Sequence, residues 1–163
     1  MKQESIQHPF APIYDKHSKI LILGTFPSVK SREVSFYYGH PQNRFWKVLS
    51  QLTGETLPQS IEEKRAFLLR HGIALWDVLA SCEIKGSSDS SIRYPIPNDL
   101  SLLLEQANIQ KIFTNGKKAQ QLYEKYLEPN TNIKAHCLPS TSPANRKYHL
   151  EDLLREWKII TDF

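Results

Sequence analysis

Lys19-Ile20-Leu21-Ile22-Leu23-Gly24-Thr25-Phe26-Pro27-Ser28 decides the fold. A short apolar run stopped by glycine has the form of a strand buried on both faces. Working outward, Phe45, Val48, Leu49 and Leu52 fall at i, i+3, i+4 and i+7, one face of a helix. Ser60-Ile61-Glu62-Glu63 is a capping box, and Gly72 closes its helix as a C′ residue. Ile73–Leu79 reads as a second strand, Leu100, Leu103, Leu104 and Ala107 as a helical face, and Ile109–Thr114 as a third strand. Ala119, Leu122, Tyr123 and Tyr126 repeat the helical spacing, Ile133–Leu138 is a fourth strand, and Leu150, Leu153, Leu154 and Trp157 form a last helix. Strands separated by helices pair in parallel through right-handed crossovers. The pattern predicts an α/β fold, a three-layer α/β/α sandwich around a central four-stranded parallel sheet. Upstream, residues 1–18 carry Pro9 and Pro12 and little periodicity, and are expected as an N-terminal arm on a single domain spanning 1–163.

Composition narrows the class. With 163 residues, 40% hydrophobic and 23% charged, the chain is neither disordered nor fibrous. It has no apolar run of the roughly 18 residues that a membrane span requires, and its start, Met1-Lys2-Gln3-Glu4, lacks a secretory apolar segment. A cytoplasmic protein with no membrane partner is expected. The net charge of +4 permits a polyanionic partner without requiring one. Cys82 and Cys137 are too few to ligate zinc or an iron–sulfur cluster alone, and each follows an apolar run, so both are expected as buried thiols. Lys85-Gly86-Ser87-Ser88-Asp89-Ser90-Ser91 reads as a mobile surface loop.

In open α/β sheets ligands bind beyond the carboxyl ends of the strands. That rule selects Gly24–Ser28, Trp76-Asp77, Asn115-Gly116 and Pro139–Asn145. The first lacks the spacing of a dinucleotide-binding turn, and no Walker A sequence occurs. A Gly-Pro turn there holds Phe26 either over a flat ligand or in the core. The stretch Phe36-Tyr37-Tyr38-Gly39-His40-Pro41-Gln42-Asn43-Arg44-Phe45-Trp46 interleaves aromatics with His40, Arg44 and the following Lys47, a pattern suited to stacking on bases and contacting phosphates. Asn43 either aims its amide at a bound group or caps the next helix. Ser140-Thr141-Ser142-Pro143-Ala144-Asn145-Arg146-Lys147 joins small hydroxyls to two cations before a helix, a phosphate-binding pattern or an ordinary turn. Asp77 is the carboxylate expected in a pocket. No nucleophile elbow, catalytic thiol signature or H-E-x-x-H occurs. His40, His136 and His149 are scattered and read as surface or core histidines.

These segments in this order resemble the uracil-DNA glycosylase superfamily. Gly24-Thr25-Phe26-Pro27-Ser28 is similar to its first motif, Leu138-Pro139-Ser140-Thr141-Ser142-Pro143 to its second, and Gly39–Trp46 to a segment of the mismatch-specific branch. The hypoxanthine-DNA glycosylase branch matches best, from about Ile20 to about Leu154. Phe26 stands where most members carry Asp or Asn, so the resemblance assigns the catalytic amide to Asn43 and excision of hypoxanthine to the chain. It implies a base pocket of Gly24, Thr25, Phe26, Tyr37, Trp76 and Asp77, with Asp77 accepting from purine N1–H and a backbone N–H donating to O6. DNA contacts fall to Ser28, Ser140, Ser142, Asn145, Arg146 and Lys147. No metal or other cofactor is implied, the partner is DNA containing a deaminated base, and a monomer is expected. A mismatch-directed uracil or thymine glycosylase and a non-catalytic nucleic-acid binder are the alternatives.

Overall fold

The computed structural model describes residues 4–163. Strands β1 (Glu4–Gln7), β2 (Ile20–Gly24), β3 (Ile73–Asp77), β4 (Leu79–Ile84), β5 (Arg93–Pro97), β6 (Lys111–Asn115) and β7 (Ala135–Leu138) form two sheets. The parallel sheet has the order β3-β2-β6-β7, so the expected four-stranded parallel sheet is present. Its register sets Leu23 between Trp76 on one side and Thr114 on the other. The helices are α1 (Val29–Val34), α2 (Phe45–Thr53), α3 (Ile61–Arg70), α4 (Ser101–Gln106), α5 (Lys117–Leu122), α6 (Glu128–Thr131) and α7 (Leu150–Trp157). A π-helical stretch, Tyr123–Leu127, joins α5 to α6.

Alternation along β2 explains why its sequence is uniformly apolar. Ile20 and Ile22 enter a core shared with Phe45 and Leu49 of α2, Phe67 of α3 and Trp157 of α7. Leu21 and Leu23 enter a second core with Leu103 of α4, Ala119 of α5 and Leu79 of β4. Both faces are therefore covered, and truncating a fully buried residue such as Ile22 to alanine is expected to cost about 2–5 kcal/mol. Only half of the expected capping box forms: Ser60 Oγ accepts the Glu63 N–H at 3.0 Å, but the Glu63 carboxylate takes the Gln59 N–H at 3.2 Å in place of the Ser60 N–H. Gly72 follows the helix at φ +68°.

Several expectations change. The run Ile73–Leu79 is not one strand: the chain leaves the parallel sheet at Val78, whose N–H donates to Gly24 O at 2.7 Å, and continues as β4 of an antiparallel sheet ordered β1-β4-β5. A continuous apolar run reports burial and not which sheet buries it. Residues 4–18 are integrated into the domain: β1 pairs with β4, and Ile13 exchanges two backbone hydrogen bonds of 2.9 Å with Leu75. Residues 1–3 of the expected arm lie outside the described residues. Cys82 is buried, which pushes its thiol up to about 11, but Cys137 is exposed because β7 is an edge strand. The short helix α1 has no apolar periodicity to announce it. Trp46, which the sequence leaves open, belongs to the core and donates its indole N–H to Tyr37 O at 3.2 Å.

Candidate active site

The carboxyl ends of β2, β3 and β6 converge on a cavity of about 130 Å³. Gly24, Thr25, Phe26, Pro27 and Ser28 form one wall, Tyr37, Tyr38 and Asn43 a second, and Asp77, Asn115, Ser140, Thr141 and Ser142 the rest. Three of the four selected strand-end segments reach it through several residues or a single side chain, and Asp77 represents the fourth. Ser87 and Asp89, from the loop expected to be only a mobile surface segment, also line it. Desolvation raises the Asp89 carboxyl above its ordinary range, opposed by Lys118.

Asn43 is oriented by its neighbours. Its Oδ1 accepts the Phe45 N–H at 2.9 Å and the Thr141 hydroxyl at 2.8 Å. A backbone N–H only donates, so Oδ1 must be the atom facing Phe45. Thr141 is held in turn by Asn115, whose Nδ2 donates to Thr141 Oγ1 and whose Oδ1 accepts the Thr141 N–H, each at 3.0 Å. The N-cap of α2 is Arg44, without a side-chain cap bond, and Asn43 sits one residue earlier, its Oδ1 taking the first helical N–H in an Asx turn. Nδ2 is then the end of the amide not engaged by Phe45 or Thr141.

Arg44 differs from its expected phosphate contact. Its guanidinium donates to Tyr148 O, to Ser142 O at 2.8 Å and to Asn145 O at 3.2 Å, and so clamps the Ser140–Lys147 loop beside Asn43. Within that loop Ser140 Oγ accepts the Ser142 N–H and Ser142 Oγ the Ala144 N–H, each at 3.1 Å. Both hydroxyls keep a proton to donate. Asn145 turns inward to Ser140 O at 3.0 Å, while Arg146 and Lys147 are exposed. The Ser28 hydroxyl is spent locally, accepting the Ser31 N–H and donating to Ser31 Oγ.

Phe26 is half-buried and faces the cavity with its ring edge-on to His8. Tyr37 is buried and anchored by its hydroxyl to Ala11 O at 2.9 Å. Trp76, expected as a pocket wall, is not among the lining residues and packs between the two cores instead. Strand alternation is the reason, since Asp77 takes the orientation its neighbour cannot share. The sequence reading missed Tyr38, Thr141 as a link to Asn43, and His8. His8 Nε2 lies 2.8 Å from Asp77 Oδ2, with both side chains only 5% exposed. The strand-end rule marked Asp77 in the sequence, but nothing local pairs residue 8 with residue 77.

Residues 11–162 match the model of the uracil DNA glycosylase superfamily. The chain belongs to that superfamily. It is 36% identical over 157 residues to a hypoxanthine DNA glycosylase of Methanosarcina acetivorans, a match covering 95% of this chain and 98% of that protein. It is 38% identical over 141 residues to a hypoxanthine DNA glycosylase of Methanosarcina barkeri, covering 85% of this chain and 87% of the relative. Its fold is similar to a solution NMR structure of a Methanosarcina acetivorans protein provisionally named a uracil DNA glycosylase, with a TM-score of 0.81, 34% identity, and coverage of 95% and 96% of the two chains. Within this uracil DNA glycosylase superfamily member, residues of the first and second motifs line one cavity together with Asn43.

Proposed function

We propose that this protein is a monofunctional DNA glycosylase that hydrolyses the N-glycosidic bond of deoxyinosine in DNA, releasing hypoxanthine and leaving an abasic site for base excision repair. The carrying observation is that Asn43 and Phe26 face one cavity at the strand ends of a uracil DNA glycosylase superfamily fold. The names of the two Methanosarcina relatives support the choice of base.

The target atom is inaccessible in stacked DNA, so the nucleotide is extruded into the cavity. Phe26 stacks on the base, Gly24 and Thr25 let the backbone approach it, and Tyr37 backs the pocket. Arg146, Lys147 and the hydroxyls of Ser140 and Ser142 contact the phosphates, and the inward amide of Asn145 stiffens their loop. As the C1′–N9 bond breaks, its electron pair leaves with the base and positive charge grows on the sugar. Asn43 Nδ2–H holds a water by one lone pair and leaves the other directed at C1′. The sugar cation makes a strong base unnecessary, and positioning the water removes part of the entropic barrier. The water's extra proton leaves to solvent or to the departing base.

A base-release assay on strands containing deoxyinosine, deoxyuridine or ethenodeoxyadenosine tests this reading. Hypoxanthine and an alkali-labile site are expected from the first strand. Release of uracil alone would favour a mismatch-type enzyme, and binding without release from any strand would favour a non-catalytic binder.

A further inference from the structure

We propose that Tyr38 and Asp77 form a donor–acceptor pair that reads the lactam edge of the flipped purine, and that His8 is the positioning residue that sets the Asp77 carboxylate. This rests on the deoxyinosine reading above and replaces the backbone donor expected from the sequence.

The Tyr38 hydroxyl is buried and makes no well-formed hydrogen bond among the described residues, although Tyr38 lines the cavity and the Asn115 side chain lies close enough to act on the phenol. A buried O–H without an acceptor is a deficit that a ligand oxygen removes. The ring is fixed around it: the backbone is left-handed at φ 53°, and the ring stacks on Phe45 with centroids 4.1 Å apart. Burial, reinforced by Asp77 and opposed by the Asn115 side chain, raises the phenol far above its ordinary range, so it stays a proton donor at neutral pH.

Asp77 presents the complementary atom. Its Oδ2 is taken by His8 Nε2 at 2.8 Å. The Phe10 N–H approaches His8 Nδ1 at 3.4 Å, so Nδ1 accepts and the ring proton resides on Nε2, donating to Asp77. Phe10, Phe26 and Tyr37 enclose the imidazole, with ring centroids at 4.7, 6.0 and 6.0 Å. With Oδ2 committed, Oδ1 is the oxygen left for a ligand. It lies beside the Tyr38 hydroxyl: a β-carbon added to Gly24 would meet Asp77 Oδ1 at 2.4 Å and Tyr38 Oη at 2.9 Å.

An O–H donor beside a carboxylate acceptor is the complement of a –C(=O)–NH– edge. Hypoxanthine offers O6 to Tyr38 and N1–H to Asp77. Adenine would set the N1 lone pair against the carboxylate and leave Asp77 without a donor, a mismatch that buried polar sites reject strongly. Negative charge grows on O6 as the glycosidic bond breaks, so the Tyr38 hydrogen bond strengthens in the transition state.

Deoxynebularine, whose base is unsubstituted purine, lacks both O6 and N1–H and provides the control. Tyr38→Phe keeps the ring and its stacking. It should lower single-turnover hypoxanthine release about 10²-fold, as for loss of one preorganised donor, and lower purine release far less. His8→Ala should show the same selectivity for hypoxanthine, and His8→Gln, which restores a donor, should recover part of the rate. Equilibrium binding to the two strands gives the same comparison if purine release is slow. Loss on both strands alike, or no loss on either, would overturn the pair while leaving deoxyinosine cleavage in place. A wild-type protein that releases hypoxanthine from no strand would overturn the pair and the reading beneath it together.

Discussion

The Thr141 hydroxyl donates to Asn43 Oδ1 at 2.8 Å, joining side chains 98 residues apart in the chain. Together with Asn115 and the Phe45 N–H it fixes the orientation of the Asn43 amide. Asn43→Ala should cut single-turnover base release by about 10²-fold and cost about 1 kcal/mol of stability through loss of the Asx turn at the start of α2. Thr141→Val should act through the same amide, lowering the rate in the wild-type background and adding little in the Asn43→Ala background. Full activity in Asn43→Ala per folded molecule, with only a lower melting temperature, would leave Asn43 a turn residue.

Gly24 ends β2 where the backbone must pass close to Asp77 and Tyr38. A methyl group there meets the carboxylate at 2.4 Å, far inside contact distance. Gly24→Ala should therefore destabilise by about 1–3 kcal/mol, as overpacking does, and should abolish most base release. Affinity for undamaged duplex should hardly change, because the collision lies inside the cavity. Thermal melting, single-turnover base release and filter binding on one preparation check the three outcomes.

Phe26 is half-buried and lines the cavity, with the Arg32 guanidinium 6.0 Å from its ring centroid. Phe26→Asn places the residue type most of the superfamily carries at that point of the first motif. Hypoxanthine release should weaken by the equivalent of about 1–3 kcal/mol, the worth of one base–aromatic stack. Uracil release from the same variant is the informative second measurement. Wild-type inosine activity would reduce Phe26 to a packing residue.

Arg146 is exposed on a loop whose shape is set by Arg44, Ser140 and Ser142. Its removal should weaken binding to all duplexes about equally and flatten the salt dependence by about one unit of slope. Titrations of Arg146→Ala at several salt concentrations test this. An unchanged slope would take the second motif off the DNA surface.

Local pattern was enough for the parallel sheet. Ile20–Leu23, with an apolar side chain at every position, has only one stable fate, a strand covered on both faces, and the helical faces around it supply the cover. The same pattern placed Gly24–Ser28, Asp77, Asn115 and Pro139–Asn145 at strand ends, where ligands bind in such sheets, whereas Asn43 was singled out only by the aromatic stretch before α2 and by the resemblance. Periodicity carries no information about partners distant in sequence. It could not show that the chain crosses to a second sheet at Val78, because burial looks alike in either sheet. It could not show that Arg44 faces carbonyls instead of phosphates, since a cation's partner is set by what folds against it. His8 reaches Asp77 only because β1 pairs with β4, the strand that continues directly from β3 through Val78. That antiparallel pairing, 69 residues across the chain at the His8–Asp77 contact, is a product of tertiary structure alone.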